Sequence, residues 1–480
     1  MSSEQEQESK DNSECPKVDV EQMFAENGDS PDLILIELSE QDMIIAANKL
    51  QNSETLTGVV FMSSQIGNEA GKHLADAFQN NRKLSKIGLM YNTITDEAAK
   101  HLADALGNST TLTALDLSGN TMGDAGMKHL LDALRNNTTL ATFDFSGNEI
   151  DAENVQYLAD ILQNNTTLST LQLSVTQIGD KVAQNLFQIL RNNKALTTLT
   201  LTNSEFQNEG ARHLADALRN NTTLTKLSFV SNSIEDEGVQ SLTDALRNNT
   251  TLNTLIIGGV DIGDKAAEDI ANIIRNNTTL SELDLWKNEI ESEGRAQDLA
   301  NALRNNTTLT NFHLRANRIG VEGAQHVVDA LRNNKTLTQL DLSYDLLGDK
   351  AVQGLADILR NSKTLTTLDL SYNSIVATGA QQLADALKHN TALIDLNLYG
   401  NEIESEGAQY LADALRENTT LSKLYLYGSK IGNEGAQYLA DALKYNTTLT
   451  ELSLSNNGID EATQHMMETA KKNTKLVIDF

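Results

Sequence analysis

The phrase "LRNNTTLTKLSFVSNSI", from Leu218 to Ile234, returns along the chain with few changes. It reads "LRNNTTLNTLIIGGVDI" from Leu246 and "LRENTTLSKLYLYGSKI" from Leu415. Aligned on the first leucine of the "LTxLxL" segment, copies begin at Leu56, Leu84, Leu112, Leu140, Leu168, Leu196, Leu224, Leu252 and Leu280. They continue at Leu309, Leu337, Leu365, Leu393, Leu421 and Leu449, fifteen in all. Every step is 28 residues except Leu280 to Leu309, which is 29 and carries an extra residue near Arg295. A fixed period constrains the fold more than length does, although 480 residues would otherwise suggest about three domains.

Within one copy, "LTKLSFVSNSI" alternates apolar and polar residues, the pattern of a strand with one buried face. "EDEGVQSLTDAL" then places Val239, Leu242 and Leu246 at helical spacing. One strand and one helix cannot bury their own apolar faces, so neighbouring copies must share a core. Asn92, Asn120, Asn148, Asn232, Asn288, Asn317, Asn373, Asn401 and Asn457 fall just after the strand. There an amide can satisfy backbone groups that the sheet no longer reaches. Small residues such as Gly126, Gly210, Gly238 and Gly407 at the helix start are expected to let helix and sheet approach. "RNNTT" is expected to end the helix with asparagine in a left-handed cap and to lie in an outer loop, so that Asn221→Ala costs little.

The "LxxLxLxxNxI…G…LADAL" pattern and its 28-residue length resemble the ribonuclease-inhibitor-type class of leucine-rich repeat proteins over residues 56–471. That resemblance implies an α/β solenoid, a horseshoe with an inner parallel β-sheet and outer α-helices. Strands about 4.8 Å apart and helices roughly 8–10 Å apart require such curvature. The class also includes receptor-end domains of NOD-like receptors, Ran GTPase-activating proteins and effectors of intracellular bacteria. This chain departs from ribonuclease inhibitor, which is rich in cysteine. Around the repeats, residues 1–30 read as a disordered acidic tail whose deletion leaves stability unchanged. Residues 31–55 read as a capping repeat, and 472–480 as a capping strand.

The net charge of −29 disfavours nucleic acid and anionic membranes as partners and favours a protein with a basic surface. The one cysteine, Cys15, excludes an internal disulfide and fits a reducing compartment. The N-terminus has neither a basic start nor an apolar segment, and no apolar run reaches the roughly 18 residues of a membrane span. A cytoplasmic monomer is expected, with delivery into a host cytosol if the source is an intracellular bacterium. His73, His101, His129 and His213 share one helical register. Helix spacing of roughly 8–10 Å keeps them too far apart for a zinc shell. No phosphate-cradling or zinc motif occurs, so neither a metal nor a cofactor is expected.

Function should lie where the repeat leaves residues free. The positions two, four, six and seven after the first leucine face the concave side. They are mostly small in the first half, but from Leu280 to Tyr427 they change character. Trp286, Tyr344, Tyr372, Tyr399, Tyr425 and Tyr427 appear among Glu282, Asp284, Asp341, Asp369 and Asp395. His313 and Arg315 lie on the strand between those of Trp286 and Tyr344, and Arg315 is placed to stack on the indole. Trp and Tyr dominate interface hot spots, so this set is expected to bind a protein. Drift is the plainer alternative, and Asp116, Asp144, Asp284, Asp341 and Asp369 share a consensus "LDL" slot. Ser343, His313 and Asp341 could be drawn as a triad, but an open sheet offers no oxyanion hole, so no enzyme is expected. The resemblance implies one alternative, activation of a small GTPase, without a catalytic residue to carry over.

Overall fold

The structure, a computed structural model, describes residues 19–480 other than 29, 121, 149, 175–178 and 232. Two compact units divide the chain. The first comprises Met1–Ile161 with Asn165–Leu171, and the second Leu162–Asn164 with Gln172–Phe480. Each is an α/β solenoid. In the first unit, strands Asp32–Ile36, Gly58–Met62, Lys86–Gly88, Ala114–Asp116 and Thr142–Phe145 pair in parallel in chain order. In the second, parallel pairing runs unbroken from Thr198–Thr202 to Val477–Asp479. The register advances one repeat at a time, so Leu340, Leu368, Leu396 and Leu424 align, all buried. Val239, Leu242 and Leu246 face the same core from their helix, as the periodicity predicts.

The inner asparagines form a ladder. Asn401 donates from Nδ2 to the carbonyls of Leu370 (3.0 Å) and Leu398 (2.9 Å). Its Oδ1 accepts from the N–H groups of Asn373 and Ile375, both at 3.0 Å. Asn92, Asn120, Asn148, Asn288, Asn317, Asn373 and Asn457 are buried in the same position. Asn232 lies outside the described residues.

The reading of "RNNTT" is corrected. Its asparagine is extended rather than left-handed, as at Asn137 (φ −73°, ψ 132°) and Asn418 (φ −72°, ψ 134°). It is also buried: only 3% of Asn221 is exposed. Asn221 donates to the carbonyl of Leu190, the last helical residue one repeat earlier, at 2.7 Å. Its Oδ1 accepts from Thr223 and Leu224 at 2.9 and 2.7 Å. Asn81, Asn137, Asn193, Asn249, Asn277, Asn306, Asn334, Asn390, Asn418 and Asn446 repeat the bond. A second asparagine ladder therefore closes the helix ends. A helix leaves its last carbonyls unpaired, and here the next repeat supplies the donor.

Two further readings change. The helical glycines serve contact between helices as well as with their own turn: a Cβ on Gly435 would lie 3.0 Å from Ala408 Cβ and 2.7 Å from Ile431. Within the stretch expected to be a disordered tail, Val20–Asn27 is a helix capped by Asp19, with Val20 buried and Glu21 paired to Lys49. Deleting residues 1–30 would therefore uncover a packed side chain. Residues 1–18, with Cys15, lie outside the described residues. The extra residue of the long repeat is accommodated at a helix start, where Arg295 donates to Asp264 Oδ1 (2.7 Å) and to the carbonyl of Glu289 (3.1 Å). Among the described residues, no helix is long and apolar enough to cross a membrane.

Candidate functional site

The second unit carries the residues singled out in sequence. Strand register sets Glu282, Asn311, Gln339, Thr367, Asp395, Lys423 and Glu451 side by side in one row. Two residues along, a second row holds Asp284, His313, Asp341, Asp369, Asn397, Tyr425 and Ser453. Strand neighbours sit about 4.8 Å apart, close enough for each side chain to meet the next.

The "LDL" aspartates have a structural task. Asp341 Oδ1 accepts the N–H of Ser343 at 2.9 Å, Asp369 Oδ1 that of Ser371 at 2.8 Å, and Asp284 Oδ1 that of Trp286 at 3.1 Å. Asp116 and Asp144 do the same in the first unit. The carboxylate thus takes up a strand-end N–H group, which is why the slot is a consensus. The second oxygens differ in their surroundings. Asp369 Oδ2 accepts from Asn397 Nδ2 at 2.7 Å, and Asp341 Oδ2 lies 3.7 Å from His313 Nδ1.

Charge is unevenly settled along this row. Burial opposes the charged form of His313, but Asp341, Asp284 and Glu282 together hold the imidazolium above its usual range. Burial also works against Asp341, yet bonds from His313 and Ser343 prevail and keep its carboxyl below the usual range. Asp284 and Asp369 go the other way, raised first by burial, with the charge of Asp341 adding to it. Burial likewise raises Asp395. The His313 contribution to stability is present below the unfolded histidine value and lost as pH rises through the folded one. The Asp341 contribution is present above the unfolded carboxyl value and lost as pH falls through the folded one. Replacing Asp341 by Asn should lower the His313 midpoint in an imidazole NMR titration. An unmoved midpoint would show that the two groups are not paired.

Aromatic rings follow the acids along the strand. Tyr344 and Tyr372 stack with centroids 4.1 Å apart, Tyr372 meets Tyr399 edge-on at 4.7 Å, and Tyr399 meets Tyr427 at 4.5 Å. Sequence register places these rings in two separate slots. The structure joins them into one ladder because Gly400 lets the Tyr372 ring lean across: a Cβ there would meet it at 2.6 Å. The position seven after the first leucine is left-handed from repeat to repeat: it holds Gly119, Gly147, Gly259, Gly400 and Gly428, but also Ser63, Tyr91, Asn203, Ser231, Lys287, Ala316 and Asn456, as well as Tyr344 and Tyr372 (φ 60° and 54°). A left-handed L-residue costs about 1–2 kcal/mol, so both tyrosines occupy positions that backbone energetics alone would give to glycine. Trp286 lies over Gly258, and the guanidinium of Arg315 sits 6.0 Å from the indole centroid. The expected stacking is therefore present.

Sequence reasoning missed two features. Lys423 sits in this face, paired with Glu451 at 2.9 Å, so the row is not uniformly acidic. The first unit also has its own exposed apolar side chains, Ile34, Ile36 and Tyr91. The alternation in "DLILI" signals the two isoleucines, and the small residues of the following repeats hide the signal.

Residues 175–285 match the model of the TMOD/LMOD leucine-rich domain. A leucine rich repeat model matches at 108–131, 276–296, 305–327, 361–384, 389–412, 417–440 and 445–461. No curated protein matches the chain. Among solved structures, a chain of the yeast Rad7 and Elc1 complex is similar at 16% identity and a TM-score of 0.47, covering 92% of each chain. Leiomodin-1 actin-binding site 2 is similar at 22% identity and a TM-score of 0.25, over 36% of this chain and 84% of that one.

Proposed function

We propose that this chain, a leucine-rich repeat protein, binds another protein on the strand face between Glu282 and Tyr427, and that the partner meets it with a basic surface. The observation that carries this reading is the tyrosine ladder beside carboxyls that burial has raised. Half-buried carboxylates with little cationic compensation gain when a lysine or arginine arrives, and tyrosine faces attract the same groups. Arg315 on Trp286 is an internal example of that contact.

Binding rather than catalysis is favoured by the hydrogen bonds of the would-be triad. The backbone N–H of Ser343 donates to Asp341, and among the described residues no hydrogen bond joins Ser343 to His313. The 28-residue period and full helices, such as Asn208–Leu218 and Glu404–Glu417, support the ribonuclease-inhibitor-type class. The single cysteine supports a reducing compartment such as the cytosol.

The test is association kinetics with a partner captured on the immobilised chain, measured at two salt concentrations. Asp341→Asn with Asp369→Asn keeps the oxygen that accepts the strand-end N–H and removes the charge. The on-rate should fall and its salt dependence weaken. Equal kinetics in the wild type and the double variant would remove the acidic row from the interface.

A further inference from the structure

Several rungs of the inner ladder are not asparagine, such as Ser64, Val260 and Ser429, and one of them is an acid. Between Asn317 and Asn373 the ladder residue is Asp345, fully buried. Its backbone N–H follows the rule by donating to Asn373 Oδ1 at 3.0 Å, and its Oδ1 accepts the N–H of Asn317 at 2.7 Å. The difference lies in the other side-chain atom. Where each asparagine has an Nδ2 donor, Asp345 has Oδ2, which is buried without a hydrogen-bond partner among the described residues. Asn401 and Asn457 each donate to the leucine carbonyl three residues back and to the one 31 residues back. The same spacing from Asp345 reaches Leu342 and Leu314. Those carbonyls receive Nδ2 from Asn373 (2.7 Å) and Asn317 (2.5 Å), but no donor from the Asp345 rung. An ionised Oδ2 would face carbonyl oxygen at this point, which is repulsive and desolvated. A neutral carboxyl has the missing donor.

We propose that Asp345 is a proton-operated latch in the ladder. As a carboxylic acid it donates from Oδ2 to the carbonyl of Leu314, and on losing the proton it repels that carbonyl and loosens the turn that bears Tyr344. On either side of Asp345, Tyr344 and Leu346 sit at positive φ (60° and 58°), and the N–H of Tyr344 donates to the carbonyl of Ser371 at 3.0 Å. The charged groups of the surrounding elements are Asp341 on its own strand, His313 and Asp369 on the flanking strands, Arg318 in the preceding turn and Asp349 at the following helix start. Burial, with a smaller repulsion from Asp341, pushes the Asp345 carboxyl up to about 7, against the pull of the N–H bonds from Asn317, Ile319 and Arg318. The folded value lies above the unfolded one. The stabilisation is therefore complete below the ordinary carboxyl range near 4 and is lost as pH rises through about 7. Because Tyr344 heads the tyrosine ladder, the proton also sets one end of the proposed binding face. That consequence rests on the binding proposal, whereas the latch does not.

The test compares thermal melting of the full chain with Asp345→Asn, which restores the ladder donor, between about pH 4 and 8.5. All other titrations are common to both chains and cancel. Near pH 4 the two should melt within a degree or so. The wild type should then fall behind steadily as pH rises towards 7, with half of the change midway through that window, and stay on the order of 5 °C below the variant from there to the alkaline end. Amide exchange across residues 342–348 should lose protection in the wild type alone at pH 8. Asp345→Ser provides a second reference, since Ser429 fills a rung by donating to the carbonyl of Leu398 at 3.2 Å. Melting differences that stay constant across this range would overturn the latch. A pH-dependent difference with unaltered partner capture would keep the latch and count against the binding face alone.

Discussion

Asn221→Ala should destabilise the chain as severely as Asn373→Ala. Each change leaves a leucine carbonyl and two amide N–H groups without their partner: Leu190, Thr223 (half-buried) and Leu224 for the first, Leu342, Asp345 and Leu347 for the second. An unpaired buried group costs about 1–3 kcal/mol. Three groups, partly rescued by relaxation and water, bring the loss to roughly 3 kcal/mol or more. Asn220 is the control. It is exposed, its side chain makes a 3.5 Å contact to the carbonyl of Asp216, and its alanine variant should stay within about 0.5 kcal/mol of wild type. Urea unfolding of the three variants measures all of this. A mild Asn221→Ala beside a severe Asn373→Ala would mean that the outer ladder is decorative and the inner one alone carries the turns.

The second large effect concerns binding. Tyr344→Gly with Tyr372→Gly removes two rings and relieves two left-handed φ angles. The backbone gain of about 1–2 kcal/mol at each position roughly offsets ring contacts worth about 0.5–1.5 kcal/mol each, so the variant should fold about as well as wild type. If the ladder anchors a partner, each lost hot spot costs about 2 kcal/mol, and affinity should fall by roughly 30-fold or more. Titration of the captured partner against both chains, with melting curves recorded alongside, separates the two quantities. Full affinity in a stable glycine variant would reject the ladder as the interface. A collapse in melting temperature would instead make the tyrosines part of the fold.

Much of the candidate face was legible from spacing. Counting from the first leucine puts Asp284, His313, Asp341 and Asp369 in one row, and the structure keeps them there. The count also puts Arg315 beside Trp286, and the guanidinium is found over the ring. Spacing could not show that Tyr372 and Tyr399, from different slots, touch. That contact depends on a left-handed turn on one strand and a glycine on the next. Nor could it show that "LDL" aspartates hold strand-end N–H groups, because the motif looks the same whether the carboxylate faces a partner or its own backbone.

The sequence by itself determined the repeating unit, the split of each copy into strand and helix, and the parallel order. A 28-residue period with leucines at fixed offsets leaves a strand and a helix no other way to bury their apolar faces. Only the tertiary structure decided which asparagines are interior and what they hold. The bond from Asn221 to Leu190 spans 31 residues and closes a helix end that belongs to another copy, so no local reading of "RNNTT" contains it. The same reasoning applies to Asp345. In sequence it is one acid among 66, and it becomes a group titrating at about 7 only because the neighbouring rungs bury it against carbonyl oxygens that expect a donor.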